Sequence, residues 1–315
     1  MQYRYLGNSG LQLSEISLGS WLTYGNTTEK ETAISIIRRA YELGINSFDT
    51  ANVYALGEAE LLVGEALRDF SRESYVLATK AFFPMGDGIN DRGLSRKHVF
   101  EQVHASLKRL QVDYVDIFYC HRYDYQTPVQ ETLRTIDDLI RQGKILYAGV
   151  SEWTAAQITE ALGVADKYLL DRIVVNQPPY NMLNRYIEKE VVPTCEKYGI
   201  SQVVFSPLAQ GMLTGKYQQN VPVPPDSRAA DARTAPFLQR YFLEQNFRKV
   251  QQLKAIANEL EVTLANLALA WVLAQPNITS AIIGATKLEQ LNENVKAVDL
   301  VLAEEILNVI ETILE

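Results

Sequence analysis

The stretch Glu42–Leu67, ELGINSFDTANVYALGEAELLVGEAL, contains in one place the pattern that decides the fold. A short apolar run ends in the acid Asp49, a loop carrying Tyr54 follows, and a longer apolar segment comes after the loop. An unpaired buried carboxylate costs several kcal/mol or gives up its charge. Asp49 therefore predicts a partner of opposite charge elsewhere in the chain.

The composition is that of an ordinary globular protein: 315 residues, 47% hydrophobic and 22% charged. A net charge of −8 disfavours binding to nucleic acid or to anionic membranes. The N-terminus lacks a signal pattern, and no apolar run reaches the roughly 18 residues of a membrane span. Two cysteines, Cys120 and Cys195, suggest a reducing compartment. We expect a soluble, cytoplasmic protein without membrane insertion.

Short β-branched or aromatic runs alternate with longer amphipathic segments along the whole chain. Most of the short runs are continuously apolar, as expected of strands that are buried on both faces of a parallel sheet. Eight such runs are present, and they end at Gly19, Asp49, Lys80, His121, Ser151, Gln177, Ser206 and Gly284. Most of these ends are about 30 residues apart, which is one strand–helix unit each of an eightfold barrel.

Several residues between the strands predict where helices begin and end. Thr127 and Thr154 each stand three residues before a Gln, which is the spacing of a capping box, and Pro128 suits a first helical turn. Gly143 and Gly199 lie where helices should end.

The predicted fold is a single α/β domain over residues 1–315, a (β/α)8 TIM barrel with an N-terminal β-hairpin and long loops at the C-terminal face. The hairpin is predicted from the alternating first residues and their GNSG turn. The Pro- and Asp-rich segment 221–236 is predicted to be a loop over the barrel mouth. A doubly wound sheet is the rival fold, but it usually shows a G-x-G-x-x-G after its first strand, and SLGSWLTYG has none.

All strands of such a barrel point their C-terminal ends at one face, where active sites are built. Asp49 and Lys80 end neighbouring strands, so that they can pair, and Tyr54 can lean over the pair. We expect the Lys80 cation to lower the pKa of the Tyr54 phenol from its usual value of about 10. His121, from the next strand, can orient a substrate oxygen. Together these groups predict a general acid for an oxygen that gains negative charge.

Each of these residues also has an ordinary explanation when it is taken alone. Asp49 could cap a helix, Tyr54 could serve packing, and His121 could be a structural histidine. Lys80 could be a solvated charge or a Schiff-base lysine. Their grouping at three consecutive strand ends favours a site, but spacing alone does not identify the reaction.

Seven motifs in order give the chain a resemblance to the aldo-keto reductases, NAD(P)H-dependent carbonyl reductases built on this barrel. They are LGSW (18–21), FDTANVYALGEAE (48–60), ATK (78–80), VDIFYCH (115–121), GKILYAGVSEW (143–153), FSPLAQGMLTGKY (205–217) and IIGATKLEQLNEN (282–294). SPLAQGMLTGKY and SRA (227–229) resemble the branch with the potassium-channel beta subunits and related bacterial reductases.

The resemblance implies a catalytic tetrad of Asp49, Tyr54, Lys80 and His121, with Tyr54 as the proton donor. Channel subunits often have Asn at the histidine position, so His121 favours a working reductase. The implied cofactor-binding residues are Ser20, Trp21, Asp49, Ser151, Glu152, Gln177, Ser206, Pro207, Leu208, Ala209, Gly211, Lys216, Arg228, Gly284, Thr286, Gln290, Glu293 and Asn294. We predict no metal site.

The chain departs from the family pattern at two places. Glu152 stands where the family commonly has Asn or Arg, so that it either weakens cofactor binding or points to solvent. The region after the eighth strand lacks the Lys-Ser…Arg pattern that grips a 2′-phosphate in many members and has Gln290 instead. The channel-subunit branch shares that Gln and prefers NADPH. The resemblance therefore favours NADPH over NADH, with Arg228 and Lys287 as the cations for the 2′-phosphate.

The expected reaction is NADPH-dependent reduction of aldehydes or ketones to alcohols. The alternatives are an NADPH-binding, redox-sensing regulatory subunit with little turnover, and a Schiff-base enzyme that uses Lys80. The expected substrate is a small carbonyl compound, and a homo-oligomer is compatible with the branch. The expected substrate-binding residues are Tyr54, His121 and an aromatic wall of Trp21, Tyr24, Phe82, Phe83, Tyr123 and Trp153.

Overall fold

In the computed structural model, which describes residues 1–25, 28–225 and 227–315, a two-stranded sheet precedes a closed barrel of eight strands. The small sheet pairs β1 (Tyr3–Tyr5) with β2 (Gln12–Ser14) in antiparallel fashion. The barrel strands are β3 (Ile16–Gly19), β4 (Ser47–Asp49), β5 (Val76–Ala81), β6 (Val115–Cys120), β7 (Ile145–Ser151), β8 (Ile173–Gln177), β9 (Ser201–Phe205) and β10 (Ile278–Ile283). Neighbours are parallel and follow chain order, and β10 closes onto β3. The predicted (β/α)8 barrel is confirmed.

Helices connect and surround the strands. They are α1 (Lys30–Glu42), α2 (Glu58–Leu67), α3 (Arg96–Leu110), α4 (Val129–Arg141), α5 (Ala155–Tyr168), α6 (Val191–Tyr198), α7 (Ala235–Gln239), α8 (Glu244–Glu259), α9 (Leu264–Ala274), α10 (Leu288–Val295) and α11 (Glu304–Leu314). The apolar face of α3 is buried through Val99, Val103, Leu107 and Leu110. Among the described residues no single helix has the length and apolarity to span a membrane, although the bent pair of α8 and α9 meets both criteria together.

Apolar side chains form two layers because each barrel strand is covered on both sides. One layer lies between the strands and the helices, and the other fills the barrel interior with Val76, Ala78, Ile117, Tyr119, Val175, Val203 and Ile282. Leu6 and Leu13 of the N-terminal hairpin join the interior layer and are fully buried. Filling of the interior by alternate residues makes the barrel a packed core instead of a pore.

The N-terminal hairpin covers the end of the barrel opposite the strand C-termini, as predicted. The Asn8 amide donates to the Gly199 carbonyl (2.8 Å), just before β9 begins. Gly7 has a φ of +54°, and a Cβ there would lie 2.4 Å from the same carbonyl oxygen. The close approach of two backbones therefore requires glycine at this position.

Two of the predicted helix boundaries differ in their outcome. Thr154 and Gln157 form the predicted capping box at the start of α5. The corresponding prediction at Thr127 is wrong: α4 begins at Val129 with Pro128 as an N-cap that offers no side-chain hydrogen bond. The Thr127 hydroxyl donates to Asp124 (2.7 Å) instead. The predicted helix ends are confirmed at Gly143 and Gly199, which both have positive φ.

The segment between β9 and β10 contributes to the mouth of the barrel. Residues 221–225 and 227–234 form turns and bends without helix or strand, while Ala235 and Pro236 of the predicted loop begin α7 instead. Asp226 lies outside the described residues. Phe237 of α7 packs edge-on against Trp21, with ring centroids 5.0 Å apart. The segment thus lies against a residue that follows the first barrel strand.

Candidate active site

Asp49 and Lys80 form a buried ion pair at the C-terminal face. They are held by the adjacent strands β4 and β5, and the side-chain ammonium of Lys80 is fully buried. Lys80 Nζ also donates to the Thr50 carbonyl (2.9 Å), and the second oxygen of Asp49 accepts from Gln177 Nε2 (2.8 Å). Burial lowers the pKa of Lys80, and the Asp49 anion opposes that shift. The partner that the sequence predicts for Asp49 is therefore Lys80, with Gln177 as a second one.

Tyr54 lies in the connection from β4 to α2, where the backbone turns sharply. Ala55 and Leu56 have positive φ values of 48° and 51°, and this left-handed pair directs the chain from Tyr54 into α2. Lys80 Nζ donates to the Tyr54 hydroxyl at 3.3 Å and lies 4.9 Å from the ring centroid. The phenol oxygen thus has an ammonium donor beside it.

The structure corrects the expected direction of the Tyr54 titration. Burial raises the pKa of Tyr54 well above its usual value, the Asp49 carboxylate raises it further, and Arg122 opposes the shift. The expected net lowering is therefore wrong, because burial and the Asp49 carboxylate outweigh the effect of the nearby cations. The phenol is therefore protonated throughout the neutral range.

His121 follows β6 directly, and its ring packs between two aromatic side chains. Ring centroids lie 5.7 Å from Tyr54 and 4.9 Å from Phe83. The backbone amide of His121 donates to the Ala81 carbonyl (3.1 Å). Burial lowers the pKa of His121 well below its usual range, and the cations of Lys80 and Arg122 lower it further. The imidazole is therefore neutral at physiological pH and can donate or accept one hydrogen bond.

Sequence reasoning did not find Arg122, although it follows His121 directly. Its guanidinium donates to the His121 carbonyl (2.5 Å) and forms an ion pair with Glu152. The charge of Glu152 is thus matched within the mouth instead of standing alone. The available signal was the departure at Glu152 itself, because an acid at a barrel mouth predicts a cation nearby.

Two serines fasten the strand ends around the ion pair. Ser20 Oγ donates to the Thr50 hydroxyl (2.9 Å), and the Ser20 amide donates to the Asp49 carbonyl (3.0 Å). Ser151 Oγ donates to the backbone carbonyl of Gln177 (2.8 Å). Of these two predicted cofactor residues, Ser20 therefore borders the Asp49–Lys80 pair, and Ser151 borders the strand that supplies Gln177.

The connection after β9 has an unusual backbone over residues 206–211. Ser206, Ala209, Gln210 and Gly211 all have positive φ. Runs of this kind turn successive backbone N–H groups toward one side, which is a common way to bind an anion. Asn181 holds the turn by donating to the Ser206 carbonyl (3.0 Å). Pro207 and Leu208 lie within the same turn.

Arg228 reaches this turn from the long segment before α7. Its guanidinium donates to Gln210 Oε1, and Gln210 Nε2 donates to Ser206 Oγ (2.5 Å). Burial lowers the pKa of Arg228, and within residues 1–25, 28–225 and 227–315 no carboxylate forms an ion pair with it. A half-buried cation beside a left-handed turn fits the phosphates of a dinucleotide. Gln210 is a residue of this group that sequence reasoning did not single out.

The predicted adenosine end lies around the connection from β10 to α10. Gln290 Oε1 accepts from the Thr286 amide (2.9 Å) and from its hydroxyl (3.2 Å). Glu293 accepts from Asn266 (2.9 Å) and pairs with Lys296 (2.6 Å), while Asn294 is buried. Gly284 follows β10, and a Cβ there would meet only Thr23, at 3.6 Å. Lys216 lies against Gly211 on the other side of the turn, 3.1 Å from the position of a Cβ.

The six aromatic side chains that were predicted to line a substrate pocket lie in different surroundings. Tyr24 and Trp153 are 1% and 2% exposed and belong to the layer between strands and helices. Phe83 and the half-buried Trp21 lie at the mouth, where Phe83 contacts His121 and Trp21 contacts Phe205. Of the remaining two, Phe82 packs on Phe83 and Tyr123 packs on Trp153.

The described ranges 1–25, 28–225 and 227–315 contain no group of three His, Cys, Asp or Glu side chains that could hold a metal ion. The site consists of an ion pair, a buried phenol, a neutral imidazole and a left-handed turn with Arg228 beside it. This set can deliver a proton to an oxygen that gains negative charge.

The chain is similar to known proteins over nearly its whole length. The model of the aldo/keto reductase family matches residues 15–315. A probable voltage-gated potassium channel subunit beta of Arabidopsis thaliana is 47% identical, over 96% of this chain and 92% of the relative. A protein of the same name from Oryza sativa subsp. japonica is 45% identical, over 100% of this chain and 97% of the relative. L-glyceraldehyde 3-phosphate reductase of Escherichia coli K12 is 36% identical, over 95% of this chain and 88% of the relative. The chain belongs to the aldo/keto reductase family and is an NAD(P)H-dependent oxidoreductase.

Proposed function

We propose that the protein reduces aldehydes or ketones to alcohols with NADPH and that Tyr54 is the proton donor. The observation that carries the proposal is the hydrogen bond from Lys80 Nζ to the Tyr54 hydroxyl (3.3 Å), because this ammonium is itself held by a buried carboxylate. A reduced nicotinamide supplies the hydride, two electrons with one hydrogen nucleus, to the carbonyl carbon. The carbonyl oxygen then needs one proton.

Tyr54 gives that proton to the substrate oxygen. Its raised pKa keeps the hydroxyl protonated at neutral pH, which a proton donor requires. As the proton leaves, negative charge develops on the phenol oxygen, and the ammonium of Lys80 stabilises it. Asp49 and the Thr50 carbonyl keep Lys80 in position. The neutral imidazole of His121 borders the phenol and can donate a hydrogen bond to the same substrate oxygen.

The cofactor is proposed to lie across the mouth. The left-handed backbone of the turn 206–211 and the charge of Arg228 fit its phosphates. Ser151, Gln177 and the mouth residues around Asp49 are proposed to surround the nicotinamide. NADPH is proposed over NADH because Arg228 is a half-buried cation without a carboxylate among the described residues. The other cofactor residues keep the roles that the family resemblance implies.

The test is NADPH oxidation, followed by nicotinamide absorbance, with an activated aromatic aldehyde and with glyceraldehyde 3-phosphate. The second substrate is included because the E. coli relative is named for it. Tyr54→Phe should lower kcat by at least about 100-fold, the lower end of the roughly 100- to 10,000-fold that a positioned acid contributes, while NADPH still binds. Tyr75→Phe is the matched control, because it removes another buried phenol hydroxyl at the start of β5, the far end of the barrel. Equal turnover of Tyr54→Phe and wild type would refute the proton-donor role.

A second candidate function is a redox-sensing regulatory subunit that binds NADPH and turns over slowly. It is favoured by two relatives that are named as probable voltage-gated potassium channel subunits beta. Tight NADPH binding with negligible turnover of every carbonyl tested would support this function. Efficient turnover of either aldehyde would exclude it as the main role.

A further inference from the structure

The ring of His121 lacks the hydrogen bond that usually fixes an imidazole at a reactive centre. Orientation of such a ring is normally set by a partner on its second nitrogen. Nδ1 of His121 is buried and has no partner among the described residues. The ring is held by contact with Tyr54 and Phe83 and by the backbone of His121 itself. Its position therefore depends on how firmly these contacts are held.

Arg122 contacts two of those supports at once. Its Nη1 donates to the backbone carbonyl of His121 (2.5 Å), and the backbone amide of His121 donates to the Ala81 carbonyl. Both backbone groups of His121 therefore have a hydrogen-bond partner. The guanidinium also lies 5.3 Å from the centroid of Phe83, whose ring contacts His121. A cation at this distance from an aromatic ring is attracted by the negative face of the ring. One side chain thus braces both the backbone and the packing of His121.

Glu152 holds Arg122 from the neighbouring strand. It follows β7, pairs with the guanidinium and donates its backbone amide to the Gln177 carbonyl (3.2 Å). Its φ of +55° is a left-handed conformation that is unfavourable for a non-glycine residue. Such a conformation persists where surrounding contacts over-determine it. The pair joins the ends of β6 and β7, and the side chains of Arg122 and Glu152 are only 35% and 25% exposed.

We propose that Arg122 is a positioning residue that keeps the imidazole of His121 in its place beside Tyr54, and that Glu152 fixes Arg122 for this role. The inference rests on the proposed reductase function for its kinetic consequence but not for its geometry. It also accounts for the acid at position 152, which departs from the family pattern. Glu152 serves as the partner of Arg122, so its charge does not stand unmatched beside the cofactor.

The kinetic test compares Arg122→Gln, Arg122→Lys and Glu152→Gln with wild type. Arg122→Gln should lower kcat by between about 10- and 100-fold, since a misplacement of about 1 Å can cost 100-fold. Arg122→Lys keeps a cation and a donor and should recover part of this loss, while Glu152→Gln should fall between the two. Asp166→Asn is the matched control, because Asp166 also pairs with an arginine (Arg172, 2.6 and 2.7 Å) but on the exposed surface. It should leave kcat unchanged.

A spectroscopic test separates positioning from a direct role in turnover. The chain has three histidines, so the imidazole signals of His121, His98 and His104 can be distinguished by NMR of protein with 13C-labelled histidine. Arg122→Gln should shift or broaden the His121 signal and leave the other two in place. Unchanged His121 signals overturn the proposal, whether or not kcat falls, because a kinetic effect alone would then come from contact with the substrate.

The two readouts also keep this proposal distinct from the proposed function. If wild type has no reductase activity, the proposed function fails while the NMR comparison still decides whether Arg122 positions His121. If wild type is active but Arg122→Gln matches it in kcat and in its His121 signal, the positioning role fails and the reductase function stands. Chemical unfolding of each variant shows whether it is folded.

Discussion

Replacement of Lys80 by Met should destabilise the barrel by far more than replacement of an exposed lysine. Lys80 is fully buried and Asp49 is 6% exposed, so the change leaves a carboxylate in a site that excludes water. Met follows the shape of the lysine stem, and little packing should therefore be lost. The expected loss is the cost of an unmatched buried charge.

The structure narrows the magnitude of this loss. Removal of one partner from a buried pair costs about 3–5 kcal/mol. Asp49 keeps the hydrogen bond from Gln177 (2.8 Å), and hydrogen bonds to charged groups contribute about 1.5–3 kcal/mol. We therefore expect the lower part of the range, a loss of about 3 kcal/mol in the free energy of unfolding at pH 7. This is a large fraction of the roughly 5–15 kcal/mol that stabilises a typical domain.

The assay is equilibrium unfolding in guanidinium chloride, followed by circular dichroism and tryptophan fluorescence. Lys97→Met is the matched control, because Lys97 pairs with Glu101 on the surface of α3 with both partners more than half exposed. That change should cost only about 0.3–0.5 kcal/mol. The double variant Asp49→Asn, Lys80→Met leaves no charge in the site and should be more stable than Lys80→Met alone.

The pH dependence supplies a further check with a definite sign. A carboxyl that is buried without an opposing cation generally has a folded pKa above its unfolded value, because burial disfavours the charged form. A carboxyl with a raised folded pKa stabilises the fold below the unfolded pKa, and this contribution is lost as pH rises. The difference from wild type should therefore shrink as pH falls toward 4. A loss equal to that of Lys97→Met at every pH would refute the buried-pair argument.

Three other predictions follow from single features. The pKa of His121 lies well below its usual range, so the unfolded chain takes up a proton below about pH 6.5 that the folded chain does not. His121→Asn should therefore lose less stability than wild type as pH falls from 7 to 4. Identical acid-unfolding curves for the two proteins would contradict this. Arg228→Met should weaken NADPH binding by about 10- to 100-fold and NADH binding less, as measured by fluorescence titration with Arg172→Met as the control. Equal weakening for both cofactors would exclude a contact of Arg228 with the 2′-phosphate. Gly163→Ala in α5, where a Cβ meets no described atom within 4 Å, should stabilise the protein by about 0.5–1 kcal/mol. Gly64→Ala in α2, whose Cβ would lie 2.5 Å from a backbone oxygen of α3, should destabilise it by about 1–3 kcal/mol. Thermal unfolding measures both effects, and a change of the same sign in the two variants would contradict the local geometry.

Local patterns along the chain predicted the barrel because its strands are buried on both faces. Such strands appear as continuous apolar runs, and most predicted ends fall within about one residue of the observed ones. β7 ends at its predicted residue, Ser151, while β6 ends one residue before the predicted His121. The capping box at Thr154 was also predictable, since both of its hydrogen bonds join residues three apart. At Thr127 the same spacing misled because Asp124 competes for the hydroxyl.

The candidate site was predictable only as far as strand order carries it. Asp49 and Lys80 end adjacent strands, and their pairing follows from the order of a parallel barrel. The contact of Gln177 with Asp49 joins residues 128 positions apart across the mouth, and no local pattern marks it. The pKa of Tyr54 rises instead of falling because its sign depends on burial and on which charges face each other.

The sequence by itself determined the fold, the ion pair and the family, since periodicity, strand order and motif spacing are all properties of neighbouring residues. Only the tertiary structure decided that Arg122 faces Glu152 and that Tyr24 and Trp153 belong to the core. It also decided that Arg228 reaches the turn after β9 through Gln210. Side chains on different loops meet only after the barrel has closed, and desolvation then sets their charges. Those two effects depend on the packed molecule as a whole.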